Sequence, residues 1–264
     1  MHARTLTYVA IAAAAALTAC RGGFRISRFP SNQSLYEAGL REYQRKHWSN
    51  AVTAFEKLTN DLPARDSLLP RAYWYLASAH ENQREHLLAA QSFTRLFESF
   101  PDDTLADDAA LEAARSYRRM WRRPMLDATY GETALATYNT LIGLYGETSA
   151  LAPTARKEIA ELEDWFATKN YETGKYYLRR KAYDSAILYF KYVLERWPHV
   201  PRARDALLRL AQAYQAIRYR DDFTETCGKL QQAYPGDPDI IRTCGTVRTA
   251  DTTVTRPRPM PRGD

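Results

Sequence analysis

Glycine is scarce in this 264-residue chain, at eleven residues against eighteen tyrosines. Nucleotide-binding α/β folds, β-sandwiches and barrels use glycine at phosphate loops and tight turns, so the scarcity argues against them. Cysteine is scarcer, at three residues, and there are five histidines. His80 and His86 are six apart and do not share a helix face, and no cysteine or carboxylate completes a metal set with them. There is no G-x-S-x-G, and Gly174-Lys175 lacks the upstream glycine of a phosphate loop. A dominant charge is missing too. Thirty-seven Lys and Arg oppose thirty-one Asp and Glu, a net +6 with the signs interspersed, and this does not call for nucleic acid. Beyond the first twenty residues no apolar run approaches the roughly eighteen that a membrane helix needs. The expectation is a protein without catalysis, metal or cofactor.

What is present is a chain able to bury a core, 45% hydrophobic and 26% charged. Residues 1–19 read as a secretory signal, with Arg4 ahead of an apolar stretch from Tyr8 to Leu17. Leu17-Thr18-Ala19-Cys20 resembles a bacterial lipobox, in which cleavage precedes a cysteine that takes a diacylglycerol and, with further acylation such as palmitate, anchors the chain. The competing reading is an ordinary signal ending in Ala-x-Ala, but position 17 is not alanine. Arg21, in place of aspartate, favours the outer membrane. Residues 20–31 are then a lipidated tether, and the rest of the chain lies on the periplasmic face.

Internal repeats organise the chain beyond this tether. Ala51-x-x-x-Phe55, Ala89-x-x-x-Phe93, Ala134-x-x-x-Tyr138, Ala186-x-x-x-Phe190 and Phe223-x-x-x-Cys227 are each succeeded, twelve residues from their first position, by Pro63, Pro101, Gly146, Pro198 and Pro235. Upstream stand Gly39, Ala77, Ala114, Gly174 and Ala211, twelve residues before the second-helix position in four cases and twenty in the third. The pattern predicts an all-α superhelix of five tetratricopeptide (TPR) helix-turn-helix repeats, each burying its apolar stripe on its neighbour. The third repeat carries an insertion within Arg118–Asp127. The first helix of the fourth is lengthened, starting near Pro153 with Ile159, Leu162 and Phe166 on its buried side. Residues 32–150 form an N-terminal half of repeats 1–3. Residues 151–245 form a C-terminal half of repeats 4–5 and a cap helix beginning at Asp237-Pro238. Residues 246–264, with Arg256-Pro257-Arg258-Pro259, form a tail without the apolar residues to pack. Asp102-Asp103 and Asp107-Asp108 fit a helix start, where carboxylates complement the dipole.

The segment Lys169-x-x-Glu172-x-Gly174-x-Tyr176-Tyr177, continuing through Arg180-Lys181-Ala182-Tyr183-x-x-Ala186-Ile187-x-x-Phe190 to Pro198 and Asp205-Ala206-Leu207, resembles the BamD (ComL-type) family of outer-membrane protein assembly factors. The resemblance spans about residues 32–235, and the five repeats, the third-repeat insertion and the long fourth-repeat helix all fit. Gly146 and Ala110-x-x-Ala113-Ala114 depart from the family pattern. The resemblance implies a non-catalytic lipoprotein subunit of the β-barrel assembly (BAM) machinery. Its C-terminal repeats would dock on the POTRA domains of a BamA-like barrel protein, and its N-terminal repeats would meet unfolded outer-membrane proteins. The alternatives are a pilotin-like TPR lipoprotein that assists secretin assembly, and an envelope protein holding peptidoglycan or a hydrolase.

Two sets of residues are the expected contact surfaces. Arg179, Arg180, Lys181, Arg202, Arg204 and Arg209 gather near repeat turns as a surface for an acidic partner, and their charge should matter little to folding. Tyr36, Tyr43, Tyr73 and Tyr75 are mostly core by period, and those left on a concave side would hold an extended peptide. Cys227 and Cys244 either pair in an oxidising compartment or remain small buried thiols.

Overall fold

A computed structural model describes residues 24–245. The signal segment, Cys20 and the tail 246–264 lie outside the described residues. Among those described there are eleven α-helices after a short 3-10 turn at Ile26–Arg28. They are α1 Asn32–Gln44, α2 Trp48–Asp61, α3 Leu69–Asn82, α4 His86–Ser99, α5 Ala106–Met120, α6 Thr129–Tyr145, α7 Ala152–Arg179, α8 Tyr183–Arg196, α9 Pro201–Ile217, α10 Arg220–Ala233 and α11 Pro238–Cys244. The described residues divide into two compact units: one holds residues 24–121 together with Thr129–Ala155, the other Arg122–Ala128 and residues 156–245.

Within the first unit α1 to α6 pack each on the next. Ser31 opens α1 with a capping box: the Ser34 amide donates to Ser31 Oγ and the Ser31 amide to Ser34 Oγ, both at 3.2 Å. Ala51, Ala54, Phe55, Leu58, Ala72 and Leu76 build its first core cluster. Gly39 approaches Phe55 so closely that an added Cβ would sit 3.0 Å from the ring. In the longer third hairpin Trp121 is buried under α6, and a Cβ at Gly131 would lie 2.1 Å from its ring.

The second unit repeats the scheme. Tyr171, Ala186, Phe190, Val193, Ala206, Leu210 and Tyr214 form one cluster; Leu208, Ala211, Cys227, Leu230 and Ile240 form the next, under α11. A Cβ on Gly174 would meet Phe190 at 2.6 Å. The long helix begins one residue before Pro153. It buries Leu162 and Phe166, while Ile159 is half-buried. The five small residues Gly39, Ala77, Ala114, Gly174 and Ala211 are all buried, and at Gly39 and Gly174 the facing phenylalanine leaves little or no room for a side chain. Both units are thus stacks of TPR-type helical hairpins.

Four tight turns share one backbone feature. Lys46, Arg84, Lys181 and Arg218 have φ of 60 to 64°, each seven residues after the small residue of its repeat. Glycine favours this left-handed geometry, yet a basic residue occupies it every time. Around two of these turns histidine–carboxylate pairs close the chain: His47 Nδ1 with Glu42 at 2.9 Å, His80 Nδ1 with Glu85 at 2.7 Å, and His86 Nδ1 with Glu81 at 3.1 Å.

Candidate protein-binding site

The six cations expected to face a partner fall into two groups. Arg179, Arg180 and Lys181 are exposed at the end of α7, where the chain turns. The Arg180 guanidinium lies over the Tyr176 ring, 4.5 Å from its centroid. Tyr176 in turn contacts Tyr177, which stacks on Tyr189. This group presents charge on an aromatic platform.

Arg202, Arg204 and Arg209 are different: they sit half-buried on α9, a correction to the expectation that all six project freely outward. Arg202 Nη1 donates to Asp205 at 3.2 Å and its guanidinium stacks on Tyr171. Arg209 donates to Gln212 at 2.8 Å. Arg204 is the most committed. It bonds Asp205 at 2.8 Å and Asp237, and reaches Asp239 at 3.6 Å. Asp237 is also the N-cap of α11, accepting from the Asp239 amide at 2.9 Å and the Ile240 amide at 3.3 Å. The hydrogen bond to Asp237, then that to Asp205, raises the Arg204 pKa against the opposing effect of burial. The Arg204 hydrogen bond is the first cause holding the Asp237 carboxyl below the usual carboxylate range, helped by the two helix amides. Arg204 therefore ties α9 to α11 and is part of the fold's stability. A second tie joins the same region: Cys227 on α10 and Cys244 on α11 form a disulfide with a Cα–Cα distance of 5.5 Å.

The tyrosines of the first unit are core or core wall. Tyr36 is 6% exposed and packs on Phe55 and Tyr75, so it does not line a groove. Its phenol is pushed up chiefly by burial, then by Tyr75. Tyr43, Tyr73 and Tyr75 are half-buried against the same cluster, with Tyr43 edge-on to Trp48. Trp74 faces Phe93. Ahead of α5, Asp103 accepts from the Leu105 amide at 2.9 Å, and in its first turn Asp107 accepts from Ser149 Oγ at 2.6 Å; the helix itself has no side-chain cap. No cluster of metal-ligating side chains occurs among the described residues. None of their helices is long and apolar enough to cross a membrane.

Residues 30–230 match the model of the YfiO family, described as an outer membrane lipoprotein. The chain belongs to that family. Curated relatives are named outer membrane protein assembly factor BamD. The protein from Caulobacter vibrioides is 26% identical over 240 residues, covering 88% of this chain and 77% of its own length. One from Xylella fastidiosa is 23% identical, covering 69% of this chain and 65% of its own. Among solved structures, a TPR repeats protein from Bacteroides fragilis has a TM-score of 0.47 at 14% identity, covering 81% of this chain and 96% of that one. What this YfiO-family chain offers is the surfaces of its helical stacks.

Some features of those surfaces escape sequence pattern. The Arg204–Asp237 link joins residues thirty-three apart, and only the Asp237-Pro238 helix start hints at one partner. Met125, Leu126 and Tyr176 are exposed apolar side chains. The first two lie in the third-repeat insertion, whose length was legible although its conformation was not.

Proposed function

We propose that this chain is a lipid-anchored assembly factor for outer-membrane β-barrel proteins. It would be held through Cys20 on the periplasmic face and would work within a BAM-type complex. Family membership across residues 30–230 carries the reading, supported by relatives named as assembly factors. In this reading the second unit holds the POTRA domains of a BamA-like barrel protein. The exposed Arg179–Lys181 turn supplies the charge that steers an acidic domain. Arg204, Arg202 and Arg209 support that surface from α9, positioned by their own ion pairs and hydrogen bonds. The first unit meets unfolded barrel segments, with Tyr43, Tyr73 and Tyr75 as the partly exposed aromatic edges.

The test is affinity purification of the full-length protein from its native envelope, followed by mass spectrometry. Recovery of a barrel protein bearing POTRA domains is the expected result. Recovery of a secretin in its place would overturn the reading and favour a pilotin role.

A further inference from the structure

Resting on the reading that the Arg179–Lys181 turn faces an acidic partner domain, we infer that the contact continues along α7 to the tip of the third-repeat insertion, where the partner seats Met125 and Leu126 in an apolar cleft rimmed by carboxylates.

The tip is a built feature. Arg123-Pro124-Met125-Leu126 closes as a turn, the Leu126 amide donating to the Arg123 carbonyl at 3.1 Å. Proline at its second position pre-sets the backbone for such a turn. Lys169 Nζ on α7 then donates to the Leu126 carbonyl at 2.5 Å. While the backbone is held, the side chains are not covered: Met125 is 54% and Leu126 50% exposed. A lone surface leucine needs no explanation, but two adjacent apolar side chains on a hydrogen-bonded tip do.

Helical geometry extends this tip into a strip. Lys169 and Tyr176 stand at i and i+7 on α7, within about 20° of one line and about 10 Å apart along it, and Arg180 follows just past the end of the helix. Ala167, Tyr171 and Gly174, on the other side of the same helix, are buried. Tyr176 is 43% exposed under the Arg180 guanidinium. The line therefore runs from Met125 and Leu126, past Lys169, to Tyr176, Arg180 and Lys181, with Arg122 and Arg123 exposed beside the tip. Acids accompany it: Asp127 beside the tip, Glu172, which pairs with Lys175 at 2.8 Å, and exposed Asp184 just beyond Lys181. Five arginines and lysines around the exposed apolar anchors call for carboxylates around an apolar cleft. Arginine, tyrosine and methionine are also the residues that enrich interface centres.

The experiment titrates the full-length, detergent-extracted protein with the periplasmic POTRA domains of the barrel protein from the same cells. Met125→Asp/Leu126→Asp should weaken binding about tenfold or more with an unchanged melting temperature. Met125→Gln/Leu126→Gln is the milder pair should the aspartates disturb the turn. Arg180→Glu/Lys181→Glu tests the underlying reading. Weakening by the tip pair and by the basic-turn pair supports the continuous contact. Weakening by the basic-turn pair alone leaves the reading standing and overturns this inference. Normal binding by the basic-turn pair removes the reading and the inference together. A tip pair that releases phosphatidylethanolamine–phosphatidylglycerol vesicles while still binding the domains shows a membrane contact and also overturns it.

Discussion

At Gly174 a single missing methyl group decides whether two helices can meet. Phe190 is fully buried against it, and an alanine Cβ would lie 2.6 Å from that ring with no solvent side to yield to. Gly174→Ala is expected to cost about 1–3 kcal/mol by overpacking, read as a lower melting temperature by circular dichroism; an unchanged melt would mean that the two helices separate there without cost. Asp237 yields a prediction of the opposite kind, about charge. Its carboxyl is held below its usual range by Arg204, so its contribution is complete at neutral pH and is lost as pH falls through that lowered value. Asp237→Asn should melt below the parent at pH 7, and the gap should close as pH drops below about 4. A gap constant with pH would show that the ion pair does not stabilise the protein. Gly174 was readable from its repeat position. Arg204 was not: as a sequence letter it is an arginine beside a turn, and only packing brings Asp237 of a helix thirty-three residues later onto it.

Among the elements, the last helix has the least support of its own. At seven residues α11 is too short to persist alone, and it holds through Ile240, the Arg204–Asp237 link and the Cys227–Cys244 bridge. The bridge closes a loop with a sequence separation of 17. Constraining the unfolded chain over such a loop is worth about 3 kcal/mol. Cys227→Ala/Cys244→Ala should therefore lower stability by roughly that amount in urea titration, with amide exchange rising first in α11. Equal stability and equal exchange would mean that packing alone seats the helix. Element positions were largely legible, because spacing of small residues, aromatics and breakers fixes where hairpins start and stop. The turns were less so. Spacing locates them, but nothing in Lys46, Arg84, Lys181 or Arg218 announces a left-handed backbone that is ordinarily glycine's. The insertion's length was likewise visible, whereas its tip depends on a hydrogen bond from Lys169, forty-three residues away.

For the whole molecule, two TPR-type units and membership of the YfiO family support the proposed role, a factor anchored through Cys20 that assembles barrel proteins in the outer membrane. The most direct measurement is to deplete the protein in its own cells and follow the folded fraction of outer-membrane barrels by heat-modifiable gel mobility. The account predicts that folded barrels fall while unfolded forms accumulate in the periplasm, with rescue by the parent protein and not by Arg179→Glu/Arg180→Glu/Lys181→Glu. Undiminished barrel folding after depletion, or loss confined to secretin multimers, would contradict it.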